Sequence, residues 1–423
     1  MKSNKSLVSV AVAFGLVTAS TSVTAAGFQL AEYSATGLGR AYAGEAAMAD
    51  NASAQWRNPA MLTYLEGTQI SVGAIYVNPN LDVEGEINGA LPTSSSDFAN
   101  DAVIPNFYLS HQLNDKWALG FALGTNYGME TKLGSDFAAT HFGNEAMVKT
   151  VEANTNIAYK IDERISIGGG IRFVTGEGHF GATSPAQTPL PKGTPLKYME
   201  GDDTAWGWQI GAAWQINENH RIGLSYKSEV ELSLSGTAKL FDKNSLSVLN
   251  DTGSMDLELP ATAELASYHQ LTEDLAVHFG VNWTDWSSFK ELYADLNTLP
   301  SQTVKVENWE DNYRFAMGAT YQVLPELAVR TGVAYDTSAV SDQNRTITIP
   351  ETDRTWLSVG ATYDFTAQFS LDAGFTYIFA KDADIKESRG YPSDDIAQAI
   401  GGQFTGTTSG NVWLIGLQAN YTF

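Results

Sequence analysis

The chain predicts an all-β fold, a transmembrane antiparallel β-barrel of about fourteen strands, preceded by a segment that lies outside the strand pattern. Three observations carry this. From about Gln69 to Phe423, apolar residues recur at every second position in runs of roughly 9–13 residues. The connections between runs alternate, short then long. The last run ends on Phe423, an aromatic closing an amphipathic strand.

The first element is an export signal. Lys2 and Lys5 form a positive start, Leu7 to Val17 is an apolar stretch too short to span a bilayer, and Val23-Thr24-Ala25 is a small-residue cleavage site. Residues 1–25 are therefore expected to be removed. No later run of about 20 apolar residues exists, so no transmembrane helix is expected. An exported membrane barrel points to the outer membrane of a Gram-negative cell, crossed many times by strands.

Residues 26–67 come next. They are rich in Gly and Ala, with Gly37, Gly39 and Gly44 close together. About 42 residues without a large apolar set do not fold alone. Two readings stay open: a disordered leader, or a plug packed inside the barrel. Asn58-Pro59-Ala60 marks a turn in it, because Pro fixes φ and Asn favours turns.

The barrel occupies residues 68–423. In the third run Trp117, Leu119, Phe121 and Leu123 share one face, and Ala118, Gly120, Ala122 and Gly124 the other. In the sixth, Trp206, Trp208, Ile210, Ala212 and Trp214 alternate with Gly207, Gln209, Gly211, Ala213 and Gln215. In the thirteenth, Phe369, Leu371, Ala373, Phe375, Tyr377 and Phe379 share a face. Such rows suit a wall that is apolar towards lipid and small or polar towards the lumen. A soluble sandwich would turn them inward. Length separates the two. The last row, Trp413 to Phe423, rises about 25 Å when tilted by ~40°, the height of an outer-membrane apolar band.

Short turns fall at Asn114-Asp115, Asp162-Glu163, Asn217-Glu218-Asn219, Thr272-Glu273-Asp274, Pro325-Glu326 and Thr366-Ala367. Long segments lie near residues 78–103, 128–146, 177–203, 229–256, 287–311, 336–353 and 380–410. The alternation requires an even strand count. It makes the long segments extracellular loops and puts both barrel ends in the periplasm.

The net charge of −23, which becomes −25 once Lys2 and Lys5 leave, argues against a nucleic-acid partner. Solvated loop acids account for it, and cation-bridged contact with lipopolysaccharide and outer-membrane lipid is the functional alternative. There is no cysteine, hence no disulfide or thiolate metal site. Gly176-Glu177-Gly178-His179-Phe180-Gly181 spells a dinucleotide fingerprint, but Pro185 and Pro189 follow where a helix is required. Asp202-Asp203 and Asp394-Asp395 read as solvated loop acids, with a Ca²⁺ site as the alternative. No G-x-S-x-G, no H-E-x-x-H and no phosphate-binding loop occur, so neither cofactor nor catalysis is expected.

Ala26-Gly27-Phe28-Gln29-Leu30, the stretch Ser34 to Glu45 and Asn58-Pro59-Ala60 are similar to the start of mature outer-membrane long-chain fatty acid transporters. Ser228-Glu229-Val230, Gln343 to Pro350 and Asp353 to Ser358 resemble the same family, which also holds aromatic-hydrocarbon channels. The resemblance covers essentially the whole mature chain. It implies a fourteen-stranded monomeric barrel, an N-terminal hatch, and capture of a hydrophobic small molecule in an apolar pocket. It also implies a kink in the third strand that opens a lateral gap. Thr125-Asn126-Tyr127-Gly128 matches that kink, though Gly128 also fits a plain strand end. Phe28 matches a residue beside the pocket, where it either gates the ligand or anchors the hatch.

The expected ligand is a long-chain fatty acid, whose tail gains about 0.8 kcal/mol per buried CH₂. Neutral aromatic or aliphatic hydrocarbons are the alternative, and an outer-membrane lipid enzyme or adhesin the alternative of another class. The resemblance puts basic residues near the carboxylate, but the matching positions hold Ala182 and Glu310. Lys192, Lys197, His179 and Arg314 are the substitutes within reach.

Overall fold

In the computed structural model, which describes residues 27–423, fourteen strands close into one antiparallel barrel. The export signal expected at residues 1–25 lies outside the described residues. The wall runs β1 Thr68–Ile87, β2 Ala102–Gln112, β3 Trp117–Gly124, β4 Glu145–Lys160, β5 Ile165–Thr183 and β6 Pro195–Asn217. β7 is His220–Lys227 continued by Val230–Asp242, and β8 is Ser247–Leu259 continued by Thr262–Gln270. β9 Leu275–Thr284, β10 Asn312–Leu324, β11 Leu327–Asp336, β12 Arg354–Asp364, β13 Phe369–Ala380 and β14 Phe404–Thr422 follow. β14 closes on β1 from Gln69↔Thr422 to Ile87↔Phe404. Closure of the last strand on the first removes both outer edges of the sheet, which a bilayer demands. No described helix is long and apolar enough to cross a membrane.

The rows face as the alternation requires. Trp117, Leu119, Phe121, Trp206, Trp208, Ile210, Phe375 and Leu417 are exposed on the outer surface, whereas Ala118, Ala122 and Ala213 are buried inside. At the turn end, Trp117 packs on Tyr159, Tyr363 on Phe365 and Tyr421 on Phe423, an aromatic girdle.

Two of the segments expected as loops are mostly wall. β5 continues to Thr183 and β6 starts at Pro195, so the loop within 177–203 shrinks to residues 184–194. The loop expected over 229–256 shrinks to residues 243–246. The reason is physical. On β6 the outward residues change from exposed Glu200, Asp202 and Thr204 to exposed Trp206 and Trp208. Above that change water replaces lipid, so the apolar alternation stops while the hydrogen-bonded ladder goes on. The wall thus stands tall on this side. Asp202-Asp203 accordingly lie on a strand, and Asp394 is a buried partner of Arg389, so neither pair is a plain loop acid.

Residues 27–67 form short turns of helix in the lumen: Ala35–Leu38, Glu45–Ala47, Ala52–Trp56 and Pro59–Tyr64. They touch the wall all round, which explains the inward glycines. A methyl group at Gly211 would overlap the Asn58 side chain, and one at Gly332 the Arg40 backbone. Ion pairs join buried Arg40 to buried Glu45 at 2.6 Å and to partly exposed Asp50 at 2.7 Å, and Arg57 to buried Glu264 at 2.9 Å.

Candidate functional site

The site starts where the third strand fails. β3 ends at Gly124, the chain leaves the ladder at residues 125–127, and strand returns over Gly128–Lys132 against β4. β2 and β3 pair from Gln112↔Ala118 up to Phe107↔Leu123 and then part. They meet again at the bridge Ala99↔Thr131. Between those points the wall has a window. β2 passes it paired to β1 alone and carries Pro105 there, a residue without an N–H that suits a strand with one neighbour.

The start of the lumenal segment is laced to this break. Gly128 N donates to Phe28 O at 2.8 Å and Leu30 N to Asn126 O at 2.6 Å, with Gln29 facing Tyr127. Thr284 Oγ1 adds a bond to Gln29 Oε1 at 2.8 Å. Thr125 Oγ1 shares a bond with Thr150 Oγ1 at 3.0 Å, and Asn126 Nδ2 donates to Glu152 Oε2 at 2.6 Å. Glu152 in turn holds Arg172 at 2.8 Å. The strand break is therefore fastened on the lumen side by a buried charged network, which costs much to disturb one partner at a time.

Phe28 is 1 % exposed and sits in a box of rings. Ring centroids lie at 4.6 Å to Trp286, 5.6 Å to Phe289, 5.9 Å to Trp309 and 6.1 Å to Tyr127. Edge-to-face contacts of this kind are each worth about 0.5–1.5 kcal/mol beyond area burial. Behind the box lies a narrow apolar cleft lined by Phe28, Met129, Phe180, Met255, Leu257 and Ile349 among others. Glu307 also lines it and accepts from Trp309 Nε1 at 3.0 Å; burial pushes its carboxyl up to about 7.

Phe180 is shared with a second small cavity that also contains Ala182, Lys197 and Lys305. Ala182 pairs across the ladder with Lys197, whose amine points into the same space and is pushed down to about 8, first by burial and then by Lys305. Glu310, by contrast, is exposed and does not line the cleft. Lys192 is exposed and bonded to Asp136, and His179 stacks on Tyr198 at the rim of the cleft. Arg314 lies elsewhere, bonded to Asp336 and Ala41 O and lying over the Trp356 ring at 4.1 Å.

The structure thus brings together Phe28, Thr125 and Gly128 at the break. It places Asn58, Pro59 and Ala60 apart from them, at the base of the lumenal segment. There Asn58 Oδ1 caps the Pro59–Tyr64 turn through Ala60 N at 3.0 Å, and Nδ2 bonds Ala46 O and wall residue Ala212 O. The aromatic partners Trp286, Phe289 and Trp309 escaped the sequence reading, because they lie in a segment expected to be a solvated loop. Four aromatics within residues 286–309, Trp286, Phe289, Tyr293 and Trp309, were the available signal.

Both the sequence and the barrel fold have counterparts. Residues 16–423 match the family described as outer membrane protein transport protein (OMPP1/FadL/TodX). The chain belongs to this family. It is 37% identical to the 47 kDa outer membrane protein of Pasteurella multocida strain Pm70, covering 97% of each chain. It is 33% identical to outer membrane protein P1 of Haemophilus influenzae over the full length of both. It is 32% identical to the long-chain fatty acid transport protein of Escherichia coli O6:H1 strain CFT073, over 98% of this chain and 97% of that one. In fold it is similar to a Pseudomonas aeruginosa FadL homologue, with a TM-score of 0.83 at 21% identity over 94% and 100% of the two chains. The Pseudomonas putida toluene transporter TodX gives 0.66 at 17% identity over 88% and 94%. The FadL/TodX chain described here is an outer-membrane channel for hydrophobic compounds.

Proposed function

We propose that this channel takes up long-chain fatty acids by passive, ligand-gated diffusion. The tail enters the apolar cleft, displaces Phe28 from its box of rings, and draws the segment Gly27–Leu30 off the third strand. The substrate then leaves sideways through the window between β2 and β3. The observation that carries this reading is the coupling of pocket and wall. One short segment both fills the aromatic box through Phe28 and pairs with the strand break through its own backbone. Moving it changes both at once. The full-length relative named a long-chain fatty acid transport protein supports the substrate class. Residues 26–67 act in this reading as a hatch, and the channel works as a monomer embedded among outer-membrane lipid and lipopolysaccharide.

The test is uptake of labelled oleate by a transporter-null strain carrying this gene. Restored uptake is expected; none, with folded protein in the outer membrane, overturns the reading. A second reading, uptake of neutral aromatic or aliphatic hydrocarbons, is favoured by the box itself. A space shaped around a phenyl ring accepts another ring. Uptake of toluene or an alkane without oleate uptake in the same strain would select it.

A further inference from the structure

The outside of the wall carries a pair of histidines that transport does not use. His220 opens β7 directly after the turn at Glu218-Asn219, and His269 lies near the end of β8, just before the turn Thr272-Glu273-Asp274. The ladder sets the two directly opposite each other, His269↔His220. Their chain neighbours Arg221 and Tyr268 turn into the lumen, where Arg221 lies over the Tyr64 ring at 4.3 Å and over the Tyr268 ring at 5.3 Å. Successive side chains alternate, so the histidine pair points outward, on the face of exposed Leu224 and Leu265. Both rings are half-buried. Their Nδ1 atoms stand 3.0 Å apart. His269 Nε2 is bonded to Ser267 Oγ at 3.1 Å, and the Phe279 ring flanks His269 at 6.1 Å.

Two imidazole nitrogens this close share either a proton or a metal ion. Metal–nitrogen bonds of about 2.0–2.1 Å put neighbouring ligands about 2.9 Å apart in a square plane and about 3.3 Å apart in a tetrahedron. The observed spacing is nearer the square plane, the preference of copper(II) and nickel(II). A ring that gives its Nε2–H to Ser267 Oγ presents a bare Nδ1, the arrangement that orients a metal-bound histidine. Both ligands stand on paired strands, so the ladder holds them in place before an ion arrives. No third His, Asp or Glu joins them among the described residues, and water completes the shell.

We propose that His220 and His269 form a surface site for one copper(II) or nickel(II) ion, which clamps β7 to β8 at their periplasmic ends. The site is independent of uptake, because both rings face away from the lumen. An ion held only by the folded barrel also stabilises it by mass action.

Titration of the purified, untagged full-length barrel in detergent with copper(II) and nickel(II) chloride tests this, at a pH about one unit above the ordinary histidine value of about 6.5. One ion per barrel is expected, with a copper electron-spin-resonance spectrum showing two coordinated imidazoles. His220→Gln and His269→Gln should each weaken binding at least tenfold, whereas His111→Gln, at an exposed histidine elsewhere on the wall, should leave it unchanged. Saturating metal should raise the denaturant midpoint of the wild type and not that of the double variant, which separates a metal clamp from a change in folding. Equal copper affinity in wild type and double variant overturns the site. So does a wild type that takes up no ion, in which case the two rings share only a proton. Binding that depends on both histidines but leaves the wild-type midpoint unmoved overturns the clamp.

Discussion

The two ends of the lumenal segment are held by different physics. Its body, from Ser34 to Tyr64, is tied by ion pairs and side-chain caps: Arg40 to Glu45 and Asp50, Arg57 to Glu264, Thr36 to Asp372 at 2.6 Å, and Asn58 to the wall. Its tip, Gly27–Ala31, is held by two backbone bonds to the third strand, one side-chain bond from Thr284, and ring contacts. Removing one partner of a buried pair strands the other charge, a penalty of several kcal/mol. Ring contacts and a two-bond ladder give way in steps, and another apolar group can replace them. A firmly tied body and a lightly held tip are what the proposed gating requires.

The largest blow to that contrast is Arg40→Met, which leaves Glu45 and Asp50 without their partner. It should lower barrel stability by about 3–5 kcal/mol, read as a shifted denaturant midpoint in liposomes. An unchanged midpoint would show that the body is no more firmly held than the tip. Next comes a lock. Gln29 and Tyr127 face each other as a non-hydrogen-bonded antiparallel pair, the geometry in which Cα atoms lie about 4.5 Å apart, within disulfide reach. The chain has no cysteine, so Gln29→Cys with Tyr127→Cys gives one clean cross-link. Oxidised, it should cut oleate uptake at least about tenfold, and reductant should restore it; equal uptake in both states would mean that the tip does not move. Phe28→Ala should have a smaller effect, a several-fold slowing of uptake with normal assembly and an unchanged midpoint, since it loosens a local element. Uptake kinetics indistinguishable from wild type would refute a gating part for this ring. Smallest of all, Lys192→Ala breaks only the exposed pair with Asp136, and should move stability by less than about 1 kcal/mol and uptake not at all.

What the sequence made legible follows where each signal is written. Trp206, Trp208 and Ile210 meet lipid one after another, so the wall announces itself residue by residue. Above Thr204 the same strand is wet outside and packed inside, and nothing periodic marks it, so the tall hairpins read as loops. Phe28 was visible through family resemblance alone. Its partners Trp286 and Trp309 lie more than 250 residues away, joined to it only by barrel closure. Lys197 stood among four basic candidates. Lys305, buried near it, did not, because a lone Lys in a segment expected as a loop carries no local mark of burial.

The raised wall has a consequence for where the substrate enters. From Trp206, the last lipid-facing aromatic of β6, to Lys197 the strand climbs nine residues, about 23 Å along the normal at a tilt of ~40°. On the uptake reading proposed above, a ligand entering at this height does so among the sugars of the outer leaflet rather than among the membrane's own acyl tails.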